Sequence, residues 1–267
     1  MRRANVSDPR GTAASMYRGL GAGVFELLWL SGKTAEQRDA AIGEHVVLDD
    51  DFAVALHEAA ERGPVVLAAS HTGNWELAAF GAARALAASG RRLAVVVKPQ
   101  SVGVFHAFCT RLREACGLHL IAPRGAFGAA RRSLAAGDVI AMPIDQVPGR
   151  ARHGVRVPFL GAQAIADRAP AALARATGAT LLVVATSRRG RHQRVQLLAE
   201  LPPHGRGEST ASAWITNATR EATRALDAFV IADPASWLWL HRRWRAPLEL
   251  RGPSQGRARL VVPAVPG

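Results

Sequence analysis

Four short apolar runs punctuate residues 64–144, and their spacing limits the possible folds more than any other feature. Pro64 to Ser70, Arg92 to Val97, Leu118 to Ala122 and Asp138 to Ile144 are each too short for a buried helix. Their branched residues and their Gly, Pro and Asp boundaries mark them as buried strands. Helix-type stretches at 75–88, 101–116 and 127–136 follow the first three; in the second, Val104, Phe105, Phe108, Leu112 and Ala115 mark one side. Gly90 and Gly137 close two of these stretches. Strand followed by helix, three times over, predicts an α/β fold with a mostly parallel central sheet flanked by helices.

The flanks are less regular. Residues 1–12 are polar and read as a disordered N-terminus. Thr12 to Ser31 reads as an amphipathic N-terminal helix with Met16, Leu20, Val24, Leu27 and Leu28 along one side and Tyr17, Phe25 and Trp29 nearby; Arg18 and Glu26 interrupt it. Such a helix either packs on the core or lies in a membrane interface. Helices are also expected at 34–41 and 50–62, the second opening on Asp49-Asp50-Asp51, which suits the positive end of a helix. Beyond 147 come a Gly/Pro/Arg loop, an extended piece at 155–161, a helix at 166–177, strands at 180–186 and 194–201 and a long helix at 212–231. No repeat or linker divides the chain, so one domain is expected over 13–250, with 251–267 as a flexible tail.

Composition narrows the class. With 49% apolar residues in 267, the chain can bury one sizeable core. A mean hydropathy of +0.05 fits neither a disordered chain nor a multi-span membrane protein. No apolar run reaches the ~18 residues of a bilayer span, and no signal peptide is evident. The formal charge of +13 is nearly all arginine, Lys33 and Lys98 being the only lysines. That surface favours nucleic acid, anionic lipid or an acidic protein partner. Cys109 and Cys116 form no Cys-x-x-Cys pair and read as buried thiols in a reducing compartment.

His71-Thr-Gly-Asn-Trp-Glu76 ends the first strand and opens the first helix. A strand–turn–helix junction exposes side chains at the carboxyl edge of a sheet, where open α/β folds place their sites. A histidine there can take a proton near neutral pH. Glu76, five residues on, can fold back to hold the imidazole in one tautomer and stabilise its charged form. Gly73 permits a tight turn, and the helix start offers N–H groups to an oxyanion. The same pair is also compatible with an ordinary turn histidine beside a surface carboxylate. Asp145-Gln146 closes the fourth strand on the same edge, with a turn-forming aspartate as the alternative. Arg113 otherwise reads as part of a solvated helix face. Metal-ligand spacing, a Walker loop, a Gly-x-Ser-x-Gly elbow and a Rossmann fingerprint are all missing from the sequence. His106, His119, His153, His192 and His241 read as ordinary.

The His71–Glu76 string, with its preceding strand, resembles the His-x-x-x-x-Asp/Glu motif of the glycerolipid and lysophospholipid acyltransferases. It is most similar to the bacterial lipid A biosynthesis (lauroyl/myristoyl) branch. The resemblance runs from about residue 15 to 245. It includes Lys98-Pro99 where the family more often has Arg-Pro, Arg113 before Gly117, Asp145-Gln146, Gly154-Val-Arg-Val-Pro-Phe-Leu-Gly161 and Trp239-Leu-His-Arg-Arg-Trp244. Trp and Arg together in that last string suit anionic headgroups, or else a plain surface helix end.

The resemblance implies a glycerolipid acyltransferase-like domain whose N-terminal helix lies in the membrane interface. It implies an O-acyltransferase with His71 and Glu76 catalytic and with Asn74, Lys98, Arg113, Asp145, Gln146, Arg156 and Phe159 binding substrate. The expected reaction moves a fatty acyl group from a thioester of acyl carrier protein or coenzyme A to a membrane lipid hydroxyl, without an acyl-enzyme, metal or other cofactor. Expected partners are acyl carrier protein, a lipid acceptor such as a lipid A precursor or another glycolipid or lysophospholipid, and an anionic membrane, with no nucleic acid. The expected location is the cytoplasmic face of the inner membrane. A basic membrane- or nucleic-acid-binding protein without enzymatic activity is the alternative class.

Overall fold

The computed structural model describes residues 1, 4–98, 102–205 and 210–244. Their centre is a seven-stranded sheet. In chain order its strands are β1 (Val46–Leu48), β2 (Val65–Ala69), β3 (Leu93–Val96), β4 (Leu118–Ile121), β5 (Val139–Pro143), β8 (Thr180–Arg189) and β9 (His192–Leu201). Across the sheet they run β1-β9-β8-β2-β5-β3-β4, and every neighbouring pair is parallel except the β8–β9 hairpin. Between β5 and β8 in the chain, β6 (Gly154–Phe159) and β7 (Ala162–Asp167) form a separate antiparallel hairpin. The expected single-domain, mostly parallel α/β fold is what the chain adopts.

Strand alternation builds a core on each face. Val65 and Leu67 of β2 join one apolar layer, while Val66 and Ala68 join the other. The first layer takes Leu27 and Leu30 from α1 (Pro9–Ser31), with side chains of α2 (Ala35–His45), α3 (Asp50–Arg62), α4 (Trp75–Ala87) and α5 (Gly103–Ala115). The second is filled from α6 (Ala126–Ala135), α7 (Ala169–Thr177), α8 (Ala211–Ala232) and the β6–β7 hairpin. Among the described residues, no helix is long and apolar enough to cross a membrane.

Several details differ from expectation. Helix α1 starts at Pro9, inside the stretch expected to be disordered, because the Asp8 side chain accepts from Gly11 N–H and proline suits the first turn. Strand β1 was not expected. Strand β7, Ala-Gln-Ala-Ile-Ala-Asp, occupies ground expected to be loop and the start of a helix. Leu160 and Gly161 join β6 to β7 with φ of 47° and 73°; two successive positive φ values are what the tightest right-twisted hairpins require. Pro99 and the proposed tail at 251–267 lie outside the described residues.

Candidate active site

The β2–α4 turn carries His71, and the loop after β5 carries Asp145. Because β2 and β5 are neighbouring parallel strands, with Ala69 opposite Pro143, these two residues leave the same sheet edge side by side. His71 Nδ1 lies 2.8 Å from Asp145 Oδ1, and His71 N–H donates to Asp145 Oδ2 at 2.9 Å. The Trp237 indole N–H donates to that second oxygen at 3.1 Å. Asp145 is fully buried. Burial would raise its pKa, but the His71 charge, the hydrogen bonds from His71 and the nearby His241 hold it low. An ionised carboxylate can only accept, so Nδ1 of His71 is the donor and Nε2 keeps a free lone pair. Burial would lower the His71 pKa; the charge and hydrogen bond of Asp145, with the charge of Glu76, outweigh it and raise the pKa above the ordinary value. The result is an imidazole with one tautomer fixed and its basicity increased.

The expectation that Glu76 folds back onto His71 is not met. Glu76 instead forms a two-point ion pair with Arg113 of α5: Arg113 Nε donates to Oε2 at 2.9 Å, and a second guanidinium nitrogen donates to Oε1. Both side chains are nearly buried, at 13% and 12% exposure. Nδ1 of His71 has its acceptor in Asp145, so the geometry leaves Glu76 to hold Arg113 and to act on His71 through its charge. Asp145 thus occupies the place beside the His71 ring that the sequence suggested for Glu76.

Gln146 and Lys98 complete this edge. The Gln146 amide nitrogen lies 3.4 Å from His71 Nε2, and Lys98 Nζ donates to Gln146 Oε1 at 3.3 Å. The other expected binding residues lie elsewhere. Asn74 is buried and caps α4: its Oδ1 accepts from Leu77 N–H, and its Nδ2 donates to Glu26 of α1 at 2.7 Å. Phe159 is fully buried among Trp237, Trp244 and Arg243, so it packs the second core layer. Arg156 sits exposed on β6, on the opposite side of that strand from buried Val155, Val157 and Phe159.

The turn itself is held from three sides. Gly73 has φ 53°, and a Cβ there would meet the Thr186 carbonyl oxygen at 2.9 Å, so only glycine fits. Its N–H donates to Ser236 O, Asn74 N–H donates to Gln193 Oε1, and Leu238 N–H donates to His71 O. With these bonds and the cap to Leu77, three amides from 73 to 77 already have internal acceptors, leaving less for an oxyanion than the sequence alone suggests. Glu26, which interrupts the apolar pattern of α1, accepts from Asn74 and from both terminal nitrogens of Arg188. It ties α1 to the motif.

The C-terminal Trp237–Trp244 segment buries Trp237 and Arg243 and leaves Leu240 and Arg242 exposed. Trp237 is buried against Asp145, and its backbone bridges Thr72. The His241 ring stands 4.5 Å from the His71 ring, edge to face, so it belongs to the site although sequence reasoning set it aside. Arg243 is only 1% exposed and donates to the carbonyls of Gln146 and Ile165, bracing the loop after β5. Burial lowers its pKa to about 10, which leaves it charged at neutral pH. Clustered aromatic and basic residues near the C-terminus were the available signal for this strap.

His71, Asp145 and His241 place ligand-type atoms within 4.8 Å of one another, the one such group among the described residues. Both oxygens of Asp145 are spent on N–H donors, which suits a charge partner for the imidazole better than a metal ligand. Beside His71 lies a cleft of about 150 Å³, walled by Glu76, Arg113, Val95, Val96, Ala141 and Met142. A smaller cavity of about 50 Å³ shares Ala69, Ser70, Trp75, Ala79 and Ala141 with it and reaches Phe52 under α4.

Residues 41–246 match the family model of the bacterial lipid A biosynthesis acyltransferases. No curated protein matches the chain.

Proposed function

The chain belongs to the bacterial lipid A biosynthesis acyltransferase family, and on that premise we propose how it transfers an acyl group and to what. The donor is a fatty acyl thioester of acyl carrier protein or coenzyme A. The acceptor is a hydroxyl of a membrane lipid, such as a lipid A precursor. As the hydroxyl oxygen attacks the thioester carbonyl, its proton passes to Nε2 of His71. Asp145 holds Nδ1 and stabilises the imidazolium. The carbon–sulfur bond then breaks, and the leaving thiolate takes the proton back from His71. Donor and acceptor react directly, because the motif offers the histidine no Ser or Cys to activate. Gln146, at the outer limit of hydrogen bonding from Nε2, gives way to the acceptor hydroxyl.

The observation that carries this reading is the His71–Asp145 pair opening on an apolar cleft. The cleft and its extension under α4 suit a hydrocarbon chain. Lys98, beside Gln146, offers positive charge near His71 to the thioester oxygen or a substrate phosphate, while Glu76 compensates Arg113. The basic surface suits an acidic carrier protein. Helix α1 buries Met16, Leu27 and Leu30 but exposes Tyr17, Phe25, Leu28 and Trp29, with Phe25 73% exposed. That outward stripe supports peripheral contact with the cytoplasmic face of an anionic inner membrane.

Incubating purified protein with isotope-labelled acyl thioester and a panel of lipid hydroxyl acceptors tests the proposal by mass spectrometry. Labelled ester on a lipid acceptor is expected. Release of free fatty acid alone, or a stable acyl-enzyme, would contradict it.

A further inference from the structure

Helix α4 meets the sheet through small side chains. Ala78, Ala79 and Ala82 line the cavity of about 50 Å³ beneath it, together with Ala69 of β2 and Ala141 of β5. Alanine favours the helix but supplies no bulk. Cores are otherwise close-packed, and a void forfeits contacts on all its walls. The hydroxyl of Ser70, one of the two hydroxyl-bearing residues around the cavity, is engaged with Thr72 Oγ1 at 3.0 Å. An apolar void of this kind takes hydrocarbon in preference to water.

The cavity continues the cleft beside His71, since the two share five wall residues. Trp75 is one of them, and its ring stands 5.1 Å from the His71 ring, edge to face. An acyl chain held at His71 has two ways to run. One goes between β3 and α5 toward Val97 and Leu118, past the Glu76–Arg113 ion pair. The other goes under α4 toward Phe52. Hydrocarbon laid against nearly buried charges gains little, whereas the alanine-lined way is apolar.

That way is closed at its far end. Phe52 is fully buried, and Leu67, Leu93 and Val195 around it are each no more than 3% exposed. Phe52 points inward because it begins the buried stripe of α3, which continues through Ala55, Leu56, Ala59 and Ala60 at helical spacing. The start of α3 is pinned to β9: Asp49 N–H donates to Val195 O, and Arg194 Nε donates to Asp49 Oδ1, both at 2.9 Å. The ring is therefore a floor of fixed depth.

We propose that Phe52 is the end stop that selects the acyl chain. The tail runs from His71 beneath α4, its terminal methyl group meets the Phe52 ring, and the depth to that ring sets which chain length is transferred. The proposal rests on the acyltransferase reading above, and two readouts separate their failures.

The first readout needs no catalysis. Alkyl thioethers of coenzyme A and of acyl carrier protein lack the thioester carbonyl and so cannot react; each carries a diazirine at the end of its chain. Light-induced cross-links, mapped by peptide mass spectrometry, should fall on Phe52, Ala82 and Leu93. Cross-links at Val97, Leu118 or along α5 would overturn the proposal.

The second readout is the chain-length profile of transfer from competing saturated acyl thioesters. In wild type, kcat/KM should rise about fourfold per added methylene up to one length. It should fall about tenfold or more for the next-longer chain. Phe52→Leu should raise kcat/KM for that longer chain, relative to the wild-type optimum, about tenfold. Ala82→Leu narrows the cavity from the helix side and should lower kcat/KM for the wild-type optimum, relative to the next-shorter chain, about tenfold. A Phe52 that serves packing alone would depress all lengths together and leave the peak in place, and that result would overturn the proposal. If the wild-type protein transfers no acyl group, the acyltransferase reading falls, while the cross-links still decide where the chain runs.

Discussion

Asp145 lies 74 residues after His71, yet its carboxylate reaches both the ring and the backbone N–H of that histidine, at 2.8 and 2.9 Å. The sheet makes this possible by setting β5 beside β2. The pair fixes which imidazole nitrogen is free and raises the proton affinity of the ring, and both follow from one buried negative charge.

The pH dependence should report that charge. His71 works as a base only when neutral, and its pKa is raised, so kcat/KM should fall as pH drops through a value above the ordinary ~6.5. Asp145→Asn removes the charge and leaves the burial, which lowers the pKa. The acid limb should move to lower pH while the plateau drops. An acid limb at the same pH in the variant would show that Asp145 does not set the proton affinity.

Stability should carry the opposite sign. A raised folded pKa means that the charged His71–Asp145 pair adds stability in full below the unfolded histidine value of about 6.5, and that this is lost as pH rises through the folded pKa. Denaturant midpoints for wild type and His71→Gln should therefore differ most at mildly acidic pH and converge above neutrality. A gap that widens with rising pH would contradict the linkage.

Glu76 and Arg113 should behave as a unit. Removing Glu76 alone leaves a nearly buried guanidinium uncompensated, at a cost of roughly 3 kcal/mol. The Glu76→Ala/Arg113→Ala double variant should recover part of this, with a coupling of about 0.5–3 kcal/mol in chemical denaturation. Glu76→Gln should reduce kcat less than Asp145→Asn. The reverse order would return the orienting role to Glu76.

Trp237→Phe keeps most of the apolar bulk but deprives Asp145 of a donor. A hydrogen bond to a buried charge is worth about 1.5–3 kcal/mol, so the unfolding free energy from denaturant titration should fall by that much, with KM nearly unchanged. Glu26→Ala should loosen the motif from the other side by freeing Asn74 and Arg188. Hydrogen exchange at the amides of residues 73–77 should quicken, and unaltered exchange would show that α1 does not brace the turn.

Local patterning announced the strands that mattered most. β2, β3, β4 and β5 are apolar runs with clear punctuation, and the glycine-containing turn after β2 placed His71 on the correct edge. Three things escaped. β1 is three residues long and exists because it pairs with β9 and packs on Gly81, where a Cβ would meet Val46 at 2.4 Å. β7 is rich in alanine, and its strand state comes from pairing with β6 rather than from its own preference. The partner of His71 escaped because spacing along the chain favours Glu76, whereas strand order across the sheet supplies Asp145.

Proton transfer at His71 is the central step, and acyl transfer by a folded His71→Ala variant tests it most directly. With circular dichroism and thermal unfolding close to wild type, single-turnover transfer from an acyl thioester to a lipid hydroxyl should fall by ~10²–10⁴. A variant that keeps transfer within a few-fold of wild type would show that the hydroxyl is activated elsewhere.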